Sequence, residues 1–73
     1  MSKPQTIGAR LRALRAARDW TRREACAEMG VTERTLSRWE SDVTQPGAEH
    51  VVMLARVFGV SADRILEPGR QAA

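Results

Sequence analysis

Apolar residues recur along this chain at spacings of three and four residues, the pattern of helices that bury one face. Ile7, Leu11 and Leu14 form the first such run and predict a helix from about residue 6 to residue 17, with Thr6 as its N-cap. Later runs predict four more helices, at about 22–29, 33–41, 48–58 and 62–67. No segment of the sequence alternates with the two-residue period of a strand. We therefore expect an all-α fold, a compact five-helix domain with short connections.

Two short segments, Gly30-Val31-Thr32 and Gly59-Val60-Ser61, share one local pattern. In each, glycine can adopt the left-handed conformation that ends a helix, and the hydroxyl can cap the helix that follows. A short turn therefore separates the second and third helices, as in a helix-turn-helix. The expected core comes from the apolar positions of the five helices and of the turn. Those positions are Ile7, Leu11, Leu14, Ala25, Cys26, Met29, Val31, Leu36, Trp39, Val51, Leu54, Ala55, Phe58, Val60, Ile65 and Leu66.

The chain has 73 residues, enough for one domain with a thin core. Its formal net charge is +3, and nine of the twelve basic residues fall within the first 38 positions, against four of the nine acidic ones. Eleven of the twelve basic residues are arginine, the side chain suited to bidentate contacts with phosphate and guanine. A GC-rich genome also favours arginine, but it does not explain the clustering in one half. This clustering indicates a nucleic-acid partner.

Several other function classes lack the residues that they need. One cysteine and one histidine allow neither an intramolecular disulfide nor a structural zinc site. The sequence has no Ser/His/Asp set, paired carboxylates or phosphate-binding glycine loop, so we expect a protein that is not an enzyme and uses no metal or cofactor. No apolar run is long enough to span a membrane. We therefore expect no membrane partner and a cytoplasmic location.

The third predicted helix has two chemically different sides. Leu36 and Trp39 lie on the side expected to face the core, whereas Arg34 and Arg38 project together from the other side, each able to donate two hydrogen bonds to guanine. Glu33 could accept a hydrogen bond from cytosine or pair with a neighbouring arginine. Such a helix fits the major groove of DNA, although an ordinary solvated face has the same composition. The candidate base contacts are Thr32, Glu33, Arg34, Ser37 and Arg38.

The second helix opens with Arg22 and Arg23, cations that oppose the positive end of the helix dipole. This unfavourable placement indicates that an anion binds nearby. A DNA phosphate fits, bound by the first backbone N–H groups of the helix and by Arg22, which we expect to contact only phosphate. The candidate phosphate contacts are Arg10, Thr21, Arg22, Arg23 and Thr44.

These residues lie in longer segments that resemble the phage-repressor and Cro type of helix-turn-helix regulator. The resemblance covers residues 7–66 and is carried by I-G-A-R-L-R-A-L-R, T-R-R-E-A-C, G-V-T-E-R-T-L-S-R-W-E and L-A-R-V-F-G-V-S-A-D-R-I-L. It implies a lambda-repressor-like fold and a sequence-specific, double-stranded DNA-binding transcriptional regulator, a repressor encoded by a bacterium or phage. In this family the third helix, here about residues 33–41, enters the major groove. The resemblance also implies an ion pair between Arg15 and Glu40.

Three positions depart from the family pattern. The family usually has glutamine where this chain has Arg22, so we expect a phosphate contact of altered geometry. It usually has leucine in place of Ala25, a volume that the neighbouring Trp20 is expected to fill. Its common Asn-Gly after the third helix is Ser41-Asp42 here, which leaves the path of that loop open.

Assembly is a separate expectation. The late part of the chain has more apolar side chains than one small core can hold, among them Val52 and Met53, so we expect a homodimer, at least on a two-fold DNA operator. Its predicted interface is Ala62, Arg64 and Ile65. An alternative role for the same fold is a protein-binding module, such as the antitoxin of a toxin–antitoxin pair, that also binds its operator. We expect the domain to span residues 6–67, between flexible tails at 1–5 and 68–73.

Overall fold

A computed structural model describes residues 6–67, so the expected tails at 1–5 and 68–73 lie outside the described residues. The described part contains five α-helices and no strand, as the apolar pattern predicts. In chain order they are α1 (Ile7–Ala17), α2 (Arg22–Met29), α3 (Glu33–Glu40), α4 (Ala48–Phe58) and α5 (Ala62–Leu66). The third and fifth helices each end one residue earlier than predicted, because Ser41 and Glu67 are C-caps.

Hydroxyl side chains begin four of the five helices. Thr6, Thr21, Thr32 and Ser61 each accept a hydrogen bond from the backbone N–H three residues later, which satisfies a donor that has no acceptor within the helix. Glycines end α2 and α4 in the left-handed conformation, with φ of 71° at Gly30 and 66° at Gly59. The two glycine-to-hydroxyl segments therefore form the helix junctions that the sequence predicts.

The core lies where the five helices meet. Helix α1 packs on α3 and α5, α2 packs on α3 and α4, and α4 packs on α5. The buried apolar residues come from all five helices: Leu11, Ala25, Cys26, Met29, Leu36, Trp39, Val51, Leu54, Phe58 and Ile65. The expectation that Leu66 also belongs to the core is wrong, since half of its surface is exposed (50%). Leu66 lies about 100° around the helix axis from the fully buried Ile65, and this rotation turns it away from the core.

Polar contacts fasten the start of α1 to the end of α3. The N–H of Gly8 donates to Asp42 Oδ1 at 2.9 Å, and the hydroxyl of Thr6 donates to Asp42 Oδ2 at 2.8 Å. Asp42 adopts a left-handed φ of 61°, which an aspartate tolerates better than most residues. The loop after α3 thereby turns back to cap α1, and this fixes the path that the sequence leaves open.

Gly8 allows α1 to approach α3 closely, and this makes a testable prediction. A Cβ there would lie 2.6 Å from the carbonyl oxygens of Trp39 and Glu40. Gly8→Ala should therefore lower the free energy of unfolding by about 1–3 kcal/mol. This is the opposite of the usual effect, since alanine normally stabilises a helix relative to glycine. Thermal unfolding followed by circular dichroism measures the change.

Gly47→Ala is the matched control for this substitution. A Cβ at Gly47 would meet its nearest neighbour only at 4.0 Å, and the backbone there is extended, with φ of −72°. Gly47 is the N-cap of α4, where alanine is less favourable than glycine, so its free energy of unfolding should fall by less than about 1 kcal/mol. Equal stability of the two variants would show that the helices are not held in contact at Gly8.

Candidate nucleic-acid interface

Helix α3 is anchored by one side and exposed on the other. Leu36, Trp39 and Glu40 are buried. The opposite side carries the predicted base contacts, of which Glu33, Arg34 and Arg38 are exposed and Ser37 is half-buried. The structure thus places these predicted side chains together on one accessible face.

Thr32 has a more limited role than the sequence suggests. Its hydroxyl oxygen accepts from the N–H of Thr35 at 3.1 Å, and its proton is donated to Thr35 Oγ1 at 3.0 Å. The hydroxyl is therefore committed to the N-cap of α3, and it retains only acceptor capacity toward a DNA base.

The start of α2 is held by a reciprocal capping box. The N–H of Thr21 donates to Glu24 Oε1 at 2.8 Å, and the N–H of Glu24 donates to the Thr21 hydroxyl at 3.1 Å. Sequence reasoning missed the role of Glu24, although Thr-x-x-Glu ahead of a helix is a recognised signal. The N–H groups of Arg22 and Arg23, between these two residues, have no acceptor within the helix and lie at exposed positions.

Glu40 is the only buried charged residue among residues 6–67, and two arginines contact its carboxylate. Arg15 Nε donates to Oε2 at 2.7 Å, and an Arg15 terminal nitrogen donates to Oε1 at 3.1 Å. The other terminal nitrogen of Arg15 donates to the carbonyl of Trp20 at 2.9 Å. Arg15 therefore connects α1, the loop before α2 and the end of α3 through one side chain.

Arg22 is the second cation on this carboxylate. Its Nε donates to Glu40 Oε1 at 3.0 Å, while 48% of its side chain remains exposed and that of Glu40 is 1% exposed. Arg22 therefore has a partner within the domain in addition to the predicted phosphate contact. The anion that offsets its position at the positive end of α2 is, in the first place, Glu40.

The first four residues after α3 have their backbone N–H groups bonded within the domain. The N–H groups of Val43 and Thr44 both donate to the carbonyl of Arg38, at 2.9 and 3.3 Å, and those of Ser41 and Asp42 donate to carbonyls within α3. A phosphate contact at Thr44 must therefore use its exposed hydroxyl. Among the other predicted phosphate contacts, Thr21 and Arg23 are exposed and Arg10 is half-buried.

Two further observations concern chemistry other than nucleic-acid binding. Burial raises the pKa of the Cys26 thiol, and the carboxylates of Glu33 and Glu40 raise it further, which keeps this cysteine in its less reactive protonated form. Within residues 6–67, no cluster of three or more potential metal ligands is found and no helix is long and apolar enough to cross a membrane.

The predicted dimer interface needs a correction. Ile65 lies on the inner side of α5 and is fully buried (0% exposed), so it cannot contact another molecule while the domain is folded. Arg64 is exposed and Ala62 is half-buried. The sequence indicated more apolar side chains than one core can hold, among them Val52 and Met53. Val52 is indeed exposed, but Met53 packs against the core.

The fold and the arrangement of α2 and α3 define a helix-turn-helix domain, and a helix-turn-helix family model matches residues 11–65. The chain therefore belongs to the helix-turn-helix family. It is 28% identical over 61 residues to the HTH-type transcriptional regulator ImmR of Bacillus subtilis (strain 168). That match includes 84% of this chain and 48% of ImmR, so the chain spans about half the length of that regulator.

Two solved structures of the P22 c2 repressor share the fold. The crystal structure of that protein with a synthetic operator has a TM-score of 0.80 and 29% identity, over 85% of this chain and 94% of that one. The solution structure of its DNA-binding domain has a TM-score of 0.82 and 25% identity, over 99% and 95% of the two chains. The expectations of a lambda-repressor-like fold and of a phage-repressor relationship are confirmed.

The buried carboxylate yields the second prediction. Glu40→Ala leaves Arg15 without its main partner in a position that is largely removed from water, a change that costs roughly 3–5 kcal/mol. We expect a sharp fall in melting temperature, measured without DNA. The matched control is Glu28→Ala, an exposed glutamate of α2 whose loss should change stability by less than about 0.5 kcal/mol. Similar melting of the two variants would show that the Glu40 contacts add little to the fold.

Proposed function

We propose that this domain is a sequence-specific, double-stranded DNA-binding transcriptional regulator, acting as a repressor, and that α3 enters the major groove. The observation that carries this proposal is the exposed polar face of α3, whose opposite side is anchored in the core. A B-DNA major groove is about 12 Å wide and admits one helix with its side chains. The fixed position of α3 determines which of its side chains can reach the base edges.

The side chains on this face suit the major groove. Arg34 and Arg38 can each donate two hydrogen bonds to O6 and N7 of guanine, and Glu33 can accept from N4 of cytosine. Ser37 lies between the arginines and can donate or accept. These four residues are the proposed base contacts, with Thr32 restricted to an acceptor at the edge of the set.

Groups on either side of α3 would bind the DNA backbone. Arg23 and the exposed part of Arg22 lie at the start of α2 beside two backbone N–H groups, an arrangement that favours a phosphate. The hydroxyl of Thr44 in the loop after α3, the Thr21 position and Arg10 on α1 complete the proposed set. The excess of basic residues in the first half of the chain supports this role.

The comparisons support the same role without assigning these contacts. The P22 c2 repressor was solved with a synthetic operator, and ImmR is named as a transcriptional regulator. A regulator of this kind acts where its DNA is, which for a bacterial or phage gene is the bacterial cytoplasm.

We also propose that two copies bind a two-fold operator through α5, with exposed Leu66 and half-buried Ala62 on one helical face beside Arg64.

The third prediction separates base contacts from phosphate contacts. Arg38→Ala should weaken binding to the preferred sequence by about 1–3 kcal/mol and relax the preference at one base pair. Arg23→Ala should weaken binding to all duplexes by similar factors and lower the slope of log affinity against log salt by about 0.9. Affinities are measured on a duplex selected by the wild-type protein from a random pool and on a scrambled version.

The two variants control for each other, because both remove an exposed arginine from the proposed interface. If Arg38→Ala weakened both duplexes equally and kept its base preference, α3 would not be contacting bases at that position. If the wild-type protein selected no sequence from the pool, specific DNA binding itself would be refuted.

The fourth prediction concerns the second copy. Leu66→Asp should reduce the protein bound to a palindromic duplex from two copies to one, because it places a charge in the proposed contact. Exposed Val52 on α4 lies outside that contact, so Val52→Asp should leave two copies bound. Sedimentation of the protein–DNA complexes counts the copies. A wild-type complex containing a single copy would contradict the dimer.

A further inference from the structure

Arg22 differs from Arg23, Arg34 and Arg38, the other exposed arginines proposed to contact DNA, in being held by an acceptor within the domain. Its Nε donates a hydrogen bond to Glu40 Oε1, at 3.0 Å. Arg23, the next residue of the same helical turn, is exposed, and its side chain makes no hydrogen bond or ion pair with residues 6–67. The two adjacent arginines therefore have the same charge but different freedom of movement.

The charges around Glu40 do not balance. Two guanidinium groups, those of Arg15 and Arg22, share one carboxylate, so the cluster carries one excess positive charge. Arg15 is satisfied on the inside, by Glu40 and by the carbonyl of Trp20. The excess charge therefore reaches solvent through Arg22, at the N-terminus of α2, where the helix dipole also favours an anion.

We propose that Glu40 is a positioning residue for DNA binding, because it fixes the Arg22 guanidinium so that its terminal nitrogens face a phosphate before DNA arrives. The inference rests on the proposed DNA-binding function and adds to it a role for a buried carboxylate. Glu40 itself contacts no DNA in this arrangement. One phosphate would bring the cluster to two positive and two negative charges.

The physical advantage of this arrangement is entropic. Arginine has a long side chain with many rotamers, and ordering it at an interface reduces affinity. A hydrogen bond through Nε holds the plane of the guanidinium while leaving its two terminal nitrogens available for a bidentate phosphate contact. Lysine keeps the charge but has no planar group that can bind two partners in fixed directions.

Arginine-to-lysine substitutions at the two adjacent positions test the proposal. Arg22→Lys should weaken binding to a random-sequence duplex by roughly three- to tenfold more than Arg23→Lys, since only the first loses an ordered guanidinium. Neither substitution should change the salt dependence, because the charge is kept. Arg22→Gln, which installs the glutamine usual in the family, should also lower the salt slope by about 0.9.

The Arg22 variants should fold, since Arg15 keeps both of its hydrogen bonds to Glu40. Melting temperatures measured without DNA check this. A purely structural role for Arg22 would lower the melting temperature of Arg22→Gln and leave its salt slope at the wild-type value, and that result would overturn the proposal. Equal losses of affinity in Arg22→Lys and Arg23→Lys would overturn it as well.

A measurement on the wild-type protein without DNA separates this inference from the proposed function. The Nε–H of Arg22 should exchange with water much more slowly than that of Arg23 in nitrogen-15 NMR spectra, because it is bonded to a buried carboxylate. Equally fast exchange would refute the positioning by Glu40. A slow Nε–H in a protein that binds no duplex at low salt would instead refute DNA binding while leaving the contact intact.

Discussion

The buried carboxylate of Glu40 is the constraint on which the arrangement of the first three helices depends. A carboxylate that is removed from water costs several kcal/mol unless it is paired and hydrogen-bonded. Arg15 from α1 and Arg22 from α2 both meet it at the end of α3. The Arg15 contact requires α1 and α3 to be in place, and the Arg22 contact requires α2 and α3. Together they specify the relative positions of the three helices more narrowly than apolar contact alone.

A domain of this size has few other means of fixing its geometry. Within residues 6–67 the core has ten buried apolar side chains, and apolar packing by itself tolerates small shifts between helices. Directional contacts supply the missing precision. Asp42 caps the start of α1 from the loop after α3, and Gly8 brings the backbone of α1 close to the end of α3. Helix α3 is therefore fixed at its C-terminal end, while its N-terminal turns remain exposed.

The local features of this fold could be predicted from the sequence, and the non-local ones largely could not. Helix ends depend on nearby residues, so the Thr and Ser caps and the turns at Gly30 and Gly59 follow from the sequence. The second cation on Glu40 could not be predicted, because Arg22 lies eighteen positions away and its direction depends on how α2 packs on α3. The five residues of α5 are too few for periodicity to distinguish Ile65 from Leu66.

The same geometry joins stability to the proposed binding. Arg22 is part of the Glu40 cluster, yet nearly half of its side chain is exposed at the start of α2, so one residue belongs both to the fold and to the proposed interface. A phosphate bound there would contact a group that already orders the junction of α2 and α3. By linkage, an anion that binds only the folded domain must stabilise it. In this view, DNA would strengthen the contact that holds α3 in position. The excess positive charge of the cluster attracts the phosphate, and the bound phosphate in turn stabilises the fold.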